Sequence, residues 1–146
     1  MVPNEAGLRP RAGERTGTTA GELIWRSVRL PDYVIDFNEL LGDSEHAAVY
    51  AVAYLSVPAA RSNLKLLVGS NDQAEIYLNG QQVYRQTQTR EVDPNQDVVS
   101  GIELKAGPNV LVFKVVNVED DWGGCIRLTD SAGNPVPGLT VVDSPP

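Results

Sequence analysis

The chain has few residues suited to metal or nucleophilic chemistry. Of its 146 residues, one is a cysteine, Cys125, and one is a histidine, His46. A lone cysteine cannot close an intramolecular disulfide, so a disulfide scaffold and a Cys-rich zinc site are both excluded, and the redox compartment stays open. A single imidazole excludes the HExxH zinc pattern. The GxSxG elbow, the P-loop and GxGxxG are also missing. No run approaches the roughly 18 apolar residues of a membrane-spanning helix, and the first 21 residues lack the apolar h-region of a secretory signal. Positive charge is scarce: 12 Lys and Arg stand against 19 Asp and Glu, for a net charge of −7 and a pI of about 4.6. Nucleic acids and anionic membrane surfaces are poor partners for such a field.

What is present points to strands and turns. Hydrophobic residues make up 42% of the chain, enough for one core and one domain. Gly 13 and Pro 10 punctuate about one position in six, which suits many short strands better than a few long helices. Residues 1–21, rich in Gly, Thr, Arg and Pro without hydrophobic period, read as a flexible tail or linker. Residues 144–146 read as the start of another linker, and 22–143 as the domain. Period-two or continuously apolar runs predict strands at Leu23–Leu30, Tyr33–Phe37, Ala47–Val57, Leu64–Ser70, Ala74–Leu78, Gln82–Gln86, Asp97–Leu104, Val110–Val118, Cys125–Asp130 and Leu139–Val142. Asn38–Leu41 invites a helical turn. Without interleaved helices, this pattern predicts an all-β fold, an antiparallel β-sandwich of jelly-roll type. Asn79-Gly80 between two such runs specifies a two-residue type I′ hairpin. Pro108 is expected to hold the next strand back to Val110. Ser131–Pro135 is a third turn.

Three segments in order resemble a known family. Asn71-Asp72-Gln73-Ala74-Glu75-Ile76-Tyr77-Leu78-Asn79-Gly80 resembles the aromatic Asn-Gly hairpin of galactose-binding-like jelly-roll domains, such as the sugar-binding domain of family 2 glycoside hydrolases. Gly107-Pro108-Asn109 and the apolar run after it, then Trp122–Asp130, are similar to the strands that follow in those domains. The resemblance spans roughly residues 23–142. It implies a galactose-binding-like fold and a non-catalytic carbohydrate-binding module, an accessory domain of a larger glycan-active or surface protein. As a module of an exported protein it would be extracellular or periplasmic. The alternative is a structural or protein-interaction sandwich that docks a neighbouring domain of a parent chain without binding sugar.

Candidate site residues follow from what a sugar needs: an aromatic face and planar polar groups on loops held by a rigid scaffold. Trp122, flanked by Asp120 and Asp121 and followed by two glycines, has that composition; the other reading packs Trp122 over the end of the core. Arg85, Gln86 and Arg90 offer long hydrogen-bond donors after the hairpin, or form an ordinary exposed connection. Tyr77 faces away from Ile76 and Leu78 and can stack on a sugar or pair across strands with Tyr84. Trp25 is expected to pack against a sheet. Oxygen ligands for a structural calcium ion are available at Asp72, Asp93, Asn95, Asp97, Asp120, Asp121 and Asp130, although turn chemistry accounts for the same residues. From Asp72 onward, 11 acids face five bases, which favours a neutral polysaccharide or oligosaccharide over an anionic one.

Overall fold

The computed structural model describes residues 1–142 and 144–146; Asp143, the expected last residue of the domain, lies outside them. The strands in chain order are β1 Arg15–Thr18, β2 Gly21–Ile24, β3 Ile35–Asp36, β4 Ala47–Val57, β5 Arg61–Asn71, β6 Gln73–Leu78, β7 Gln81–Gln86, β8 Asp97–Leu104, β9 Gly107–Asn117, β10 Gly123–Thr129 and β11 Thr140–Val142. One short helix, α1 Phe37–Leu41, follows β3, with the Asp36 carboxylate accepting from the Glu39 N–H as its N-cap. A four-stranded sheet, β3-β10-β5-β8, packs on a five-stranded sheet, β11-β4-β9-β6-β7, while β1 and β2 form a separate hairpin. Every pairing is antiparallel. Four of the pairings nest, β6 with β7, β5 with β8, β4 with β9 and β3 with β10, as in one long ribbon folded at its middle. Rolled so that most successive strands change sheet, that ribbon is a jelly-roll sandwich, the expected fold.

The core follows from alternation. On β6, Ala74, Ile76 and Leu78 face inward, and they meet Leu66 and Val68 of β5, Leu104 of β8 and Phe113 and Val115 of β9. Gly124 is required at the start of β10, because a Cβ there would lie 2.8 Å from the Phe113 ring. The Asn79-Gly80 turn has φ of 51° and 84°, as a type I′ hairpin needs. It does more than reverse the chain. Asn79 Nδ2 donates to Asn109 Oδ1 at 2.8 Å, and Asn79 Oδ1 accepts from the Val110 N–H at 3.0 Å. Asn109, fully buried, also bonds the Lys105 N–H and the Lys105 and Gly107 carbonyls. Two amides thereby lock the β6–β7 and β8–β9 turns together.

Several expectations are corrected. The run Leu23–Leu30 is strand only to Ile24, with Trp25 still exchanging backbone hydrogen bonds with Gly13 and Glu14, and Tyr33–Phe37 shrinks to Ile35–Asp36, because among the described residues no strand pairs with 26–34. Pro108 lies within β9, opposite Ser56 of β4; there β9 has a neighbour on one side only, since β6 reaches no further than the Leu78–Leu111 pair.

The larger correction concerns residues 1–21, which are not a tail. β4 and β9 are apolar on both faces, and the outer face presents Tyr50, Val52, Tyr54, Val110 and Val112. The N-terminal segment covers it, burying Val2 and Leu8, with Trp25 packed at its end and donating from Nε1 to Thr16 Oγ1 at 2.8 Å. Lys114 of β9 is caught under this cover at 5% exposure. Its ammonium lies 3.0 Å from the Glu5 carboxylate and 3.7 Å from that of Glu75. Tyr50 and Tyr77 both donate to Glu5 at 2.9 Å. Burial alone would raise the Glu5 pKa, but the hydrogen bonds from Lys114, Tyr50 and Tyr77 outweigh it and hold it below the usual carboxylate value. Burial, together with the Glu5 carboxylate, pushes the Tyr50 hydroxyl up to about 12.

Two outcomes follow. Glu5→Gln leaves Lys114 with Glu75 alone and should cost about 1–3 kcal/mol, read from the urea midpoint. Because the folded pKa of Glu5 is depressed, its stabilisation is complete above the ordinary value of about 4.3 and is lost as pH falls through the lower folded value. The N–H groups of residues 2–8 should therefore lose hydrogen-exchange protection in acid before the sandwich does, and an order reversed or simultaneous would refute this account.

Candidate functional site

The strand registers send the loops 42–46, 71–72, 87–96 and 118–122 to one end of the sandwich, where β4 and β10 start and β5 and β7 finish. Asp72, 2% exposed, ties this rim together. Its Oδ1 accepts from the Arg90 N–H at 3.1 Å and its Oδ2 from the Val118 N–H at 2.9 Å, so one carboxylate holds two loops. Asn38 of α1 holds a third: its Oδ1 accepts from the Trp122 N–H at 2.9 Å while its Nδ2 donates to Asp43 Oδ1 at 2.9 Å. From the end of β9, Asn117 donates to the carbonyls of Ser44 and Asp120.

These ties frame a cleft of about 420 Å³ lined by Asn38, Asp43, Ser44, Glu45, Asp120 and Asp121. All six side chains are carboxylates, an amide or a hydroxyl. Asp120 takes φ of 62°, a left-handed conformation that Asp tolerates, and so turns the chain at the lip. Asn117 Oδ1 and Trp122 Nε1 are buried without a hydrogen-bond partner among the described residues. The arrangement suits donors arriving from a ligand: each carboxylate can accept from two or more hydroxyl groups.

Of the expected site residues, Asp120 and Asp121 are brought together in this cleft. Trp122 is not a stacking face. It is 4% exposed, in the main core, its ring 5.5 Å from that of Phe37 at 54°. Asp120 and Asp121 are both exposed at the turn that Asp120 makes, and the ring that follows them packs inward. Arg90 and Gln86 stand at the same rim but are engaged by the scaffold. The Arg90 guanidinium pairs with Asp97 at 2.7 Å and donates to the Ser70 carbonyl, the Ser70 hydroxyl and the Tyr84 hydroxyl. Burial would raise Asp97, but the bonds from Arg90 and Tyr84 hold its carboxyl low; burial and Asp97 push the Tyr84 hydroxyl well up. Gln86 donates to the carbonyls of Asp72 and Gln88 and accepts from the Gln88 N–H.

Arg85 and Tyr77 lie elsewhere. Arg85 is exposed on the edge strand β7, opposite Glu75. Tyr77 does emerge on the outer face, as expected, but under the N-terminal segment and bonded to Glu5 and Glu75. It does not pair with Tyr84. A bulge sets Tyr77 opposite Gln82 and Ile76 opposite Tyr84, so the two tyrosines take opposite faces.

Four of the oxygens proposed for calcium have such roles, while Asp120 and Asp121 lie together in the cleft. Asp72 and Asp97 have the partners given above, Asn95 accepts from the Tyr33 hydroxyl, and Asp130 accepts from the Ala132 and Asn134 N–H groups, which hold its carboxyl low. Among the described residues, no group of three or more His, Cys, Asp or Glu is arranged to hold a metal ion. Cys125 is fully buried, and burial pushes its thiol up, away from the thiolate a nucleophile needs. Asn38, Asp43, Ser44 and Glu45 were missed by sequence reasoning. Only the Asp36-x-x-Glu39 cap that positions Asn38 left a readable signal.

Trp122→Ala should act on stability, costing about 3–5 kcal/mol as a large core truncation. A variant of unchanged denaturant midpoint would show that the ring is not core.

No protein-family model matches the chain. No curated protein matches it either. Among solved structures, it is similar to a family 35 carbohydrate-binding module from an environmental isolate, at 23% identity over 70% of this chain and 77% of that one, with a TM-score of 0.47.

Proposed function

We propose that the chain is a non-catalytic carbohydrate-binding module that takes a neutral glycan in the rim cleft. The observation that carries this reading is the cleft's lining. Six side chains with carboxylate, amide or hydroxyl groups converge on about 420 Å³, on loops anchored from behind by Asp72, Asn38 and Asn117. Four carboxylates offer acceptors to sugar hydroxyls and repel uronates and sulfated sugars. With Trp122 turned inward, recognition rests on hydrogen bonds rather than on ring stacking. Each bond from a sugar hydroxyl to a carboxylate then contributes about 1.5–3 kcal/mol, so a few of them give a modest affinity that gains strength when a module is tethered beside an enzyme. The proposed setting is an accessory domain of a glycan-active or surface protein outside the cell or in the periplasm.

The second reading, a module that docks a neighbouring domain without binding sugar, has one feature on its side. Edge strand β11 exposes Val141 and Val142, at 61% and 49%. The two readings separate in affinity electrophoresis against neutral and acidic polysaccharides. A neutral polymer should retard the chain, an acidic one should not, and the double variant Asp120→Ala, Asp121→Ala should weaken retardation about tenfold or more while unfolding stays cooperative. Retardation by none of the polymers, or by the variant as strongly as by the parent, would sink the glycan reading.

A further inference from the structure

The sandwich is not closed along one side. Where the edge strands β3 and β11 run for only two and three residues, the two sheets part between β10 and β4. The core-facing side chains of β4 there are small, Val49, Ala51 and Ala53, and they are half-buried, although Leu111 and Phe113 beside them on β9 are buried. A pocket of about 850 Å³ results, which wraps the edge of β4: these residues and Ile126 line it on the inner side, Tyr50, Val52 and Tyr54 on the outer side, and the segment 26–33 lies over it. It is open to solvent, a cleft at the sheet edge rather than an interior void. It falls in the range of about 300–1,000 Å³ typical of small-molecule sites.

The roof has an unusual make-up for this chain. Val28 and Leu30 remain 45% and 41% exposed although they border an apolar gap, which leaves the hydrocarbon face incompletely covered. The charges lining the cavity invert the sign of the whole: Arg11, Arg26 and Arg29 stand against Asp32 alone, in a chain of net charge −7. Arg26 is held at the lip by donating to the Leu40 carbonyl. An apolar floor with guanidinium groups at its mouth matches a ligand with a hydrocarbon body and a single anionic head, since Arg grips carboxylates through paired N–H donors. A neutral glycan has neither part, and this cavity is separate from the rim cleft.

We propose that the gap between the β3–β10 and β11–β4 edges is a binding site for an amphipathic carboxylate, its chain on Ala51, Ala53 and Phe113 and its head at Arg26 and Arg29. The test uses the full chain and dodecanoate below its micelle concentration, followed by calorimetry, with dodecanol and dodecyltrimethylammonium as head-group controls. Saturable one-to-one binding of dodecanoate is expected, with both controls at least about tenfold weaker. Arg26→Glu with Arg29→Glu, both exposed and outside the core, should weaken dodecanoate about tenfold or more while leaving unfolding unchanged. Ala53→Phe, which fills the floor, should abolish binding; Ala51→Leu is the second filling variant should the first fail to fold. Absence of saturable binding up to about 1 mM, equal affinity for the three head groups, or binding indifferent to both the charge reversal and the filling would overturn the site. So would sedimentation showing that the ligand-free chain is a dimer that the double arginine variant dissociates, because the occupant would then be a second copy.

Discussion

The structure depends on β9 being covered on both faces. Its run Val110–Val116 carries apolar side chains on each side of the pleat, with Lys114 as the one interruption. The inner face is closed by the four-stranded sheet. The outer face has only residues 1–25 to close it. Once those residues are laid down, the Lys114 ammonium is out of water and needs an anion. Glu5 supplies it, and Tyr50 and Tyr77 complete the carboxylate's hydrogen bonds. A buried charge left alone would cost several kcal/mol. Covering segment and ion pair therefore stand or fall together.

The same economy organises the rim. Polar side chains there divide into those spent on the scaffold and those left facing a cleft. Asp72, Asn117, Gln86, Arg90 and Asp97 are spent: each satisfies backbone groups or a charge that the loops would otherwise bury unpaired. Asp43, Glu45, Asp120 and Asp121 line the cleft. Binding capacity at this end comes from what remains after the loops have been fastened. That explains why the residue types most suggestive in the sequence, a tryptophan and a pair of arginines, are not the ones presented there.

Much of the strand framework was readable, because period-two patterning and turn chemistry are local properties. β4 and β8 have the expected limits, and the Asn79-Gly80 hairpin has the required backbone angles. The failures share a cause. Arg26–Leu30 has strand composition but no neighbouring strand among the described residues, and residues 1–21 have tail composition but a vacant apolar face to cover. Tyr77 and Tyr84 are separated by a bulge, a one-residue register shift that leaves no mark on composition. A third of the candidate site could be read in the same way. Asp120 and Asp121 stand out because they flank Trp122 in the chain, whereas Asn38 of α1 and Asp43, Ser44 and Glu45 of the loop after it reach them from far away in sequence.

Local order was thus written in the chain: which residues alternate, where it turns, and that the strands must stack as a sandwich around one core. Placement across distance was settled by folding. Whether Trp122 faces a ligand or Phe37, whether Arg90 is free or held by Asp97, and whether the first residues hang loose or seal a sheet are questions about which residues meet once the chain is folded, or about which side of a loop is wet. Burial and pairing energies decide them, and those exist only once the two sheets have met.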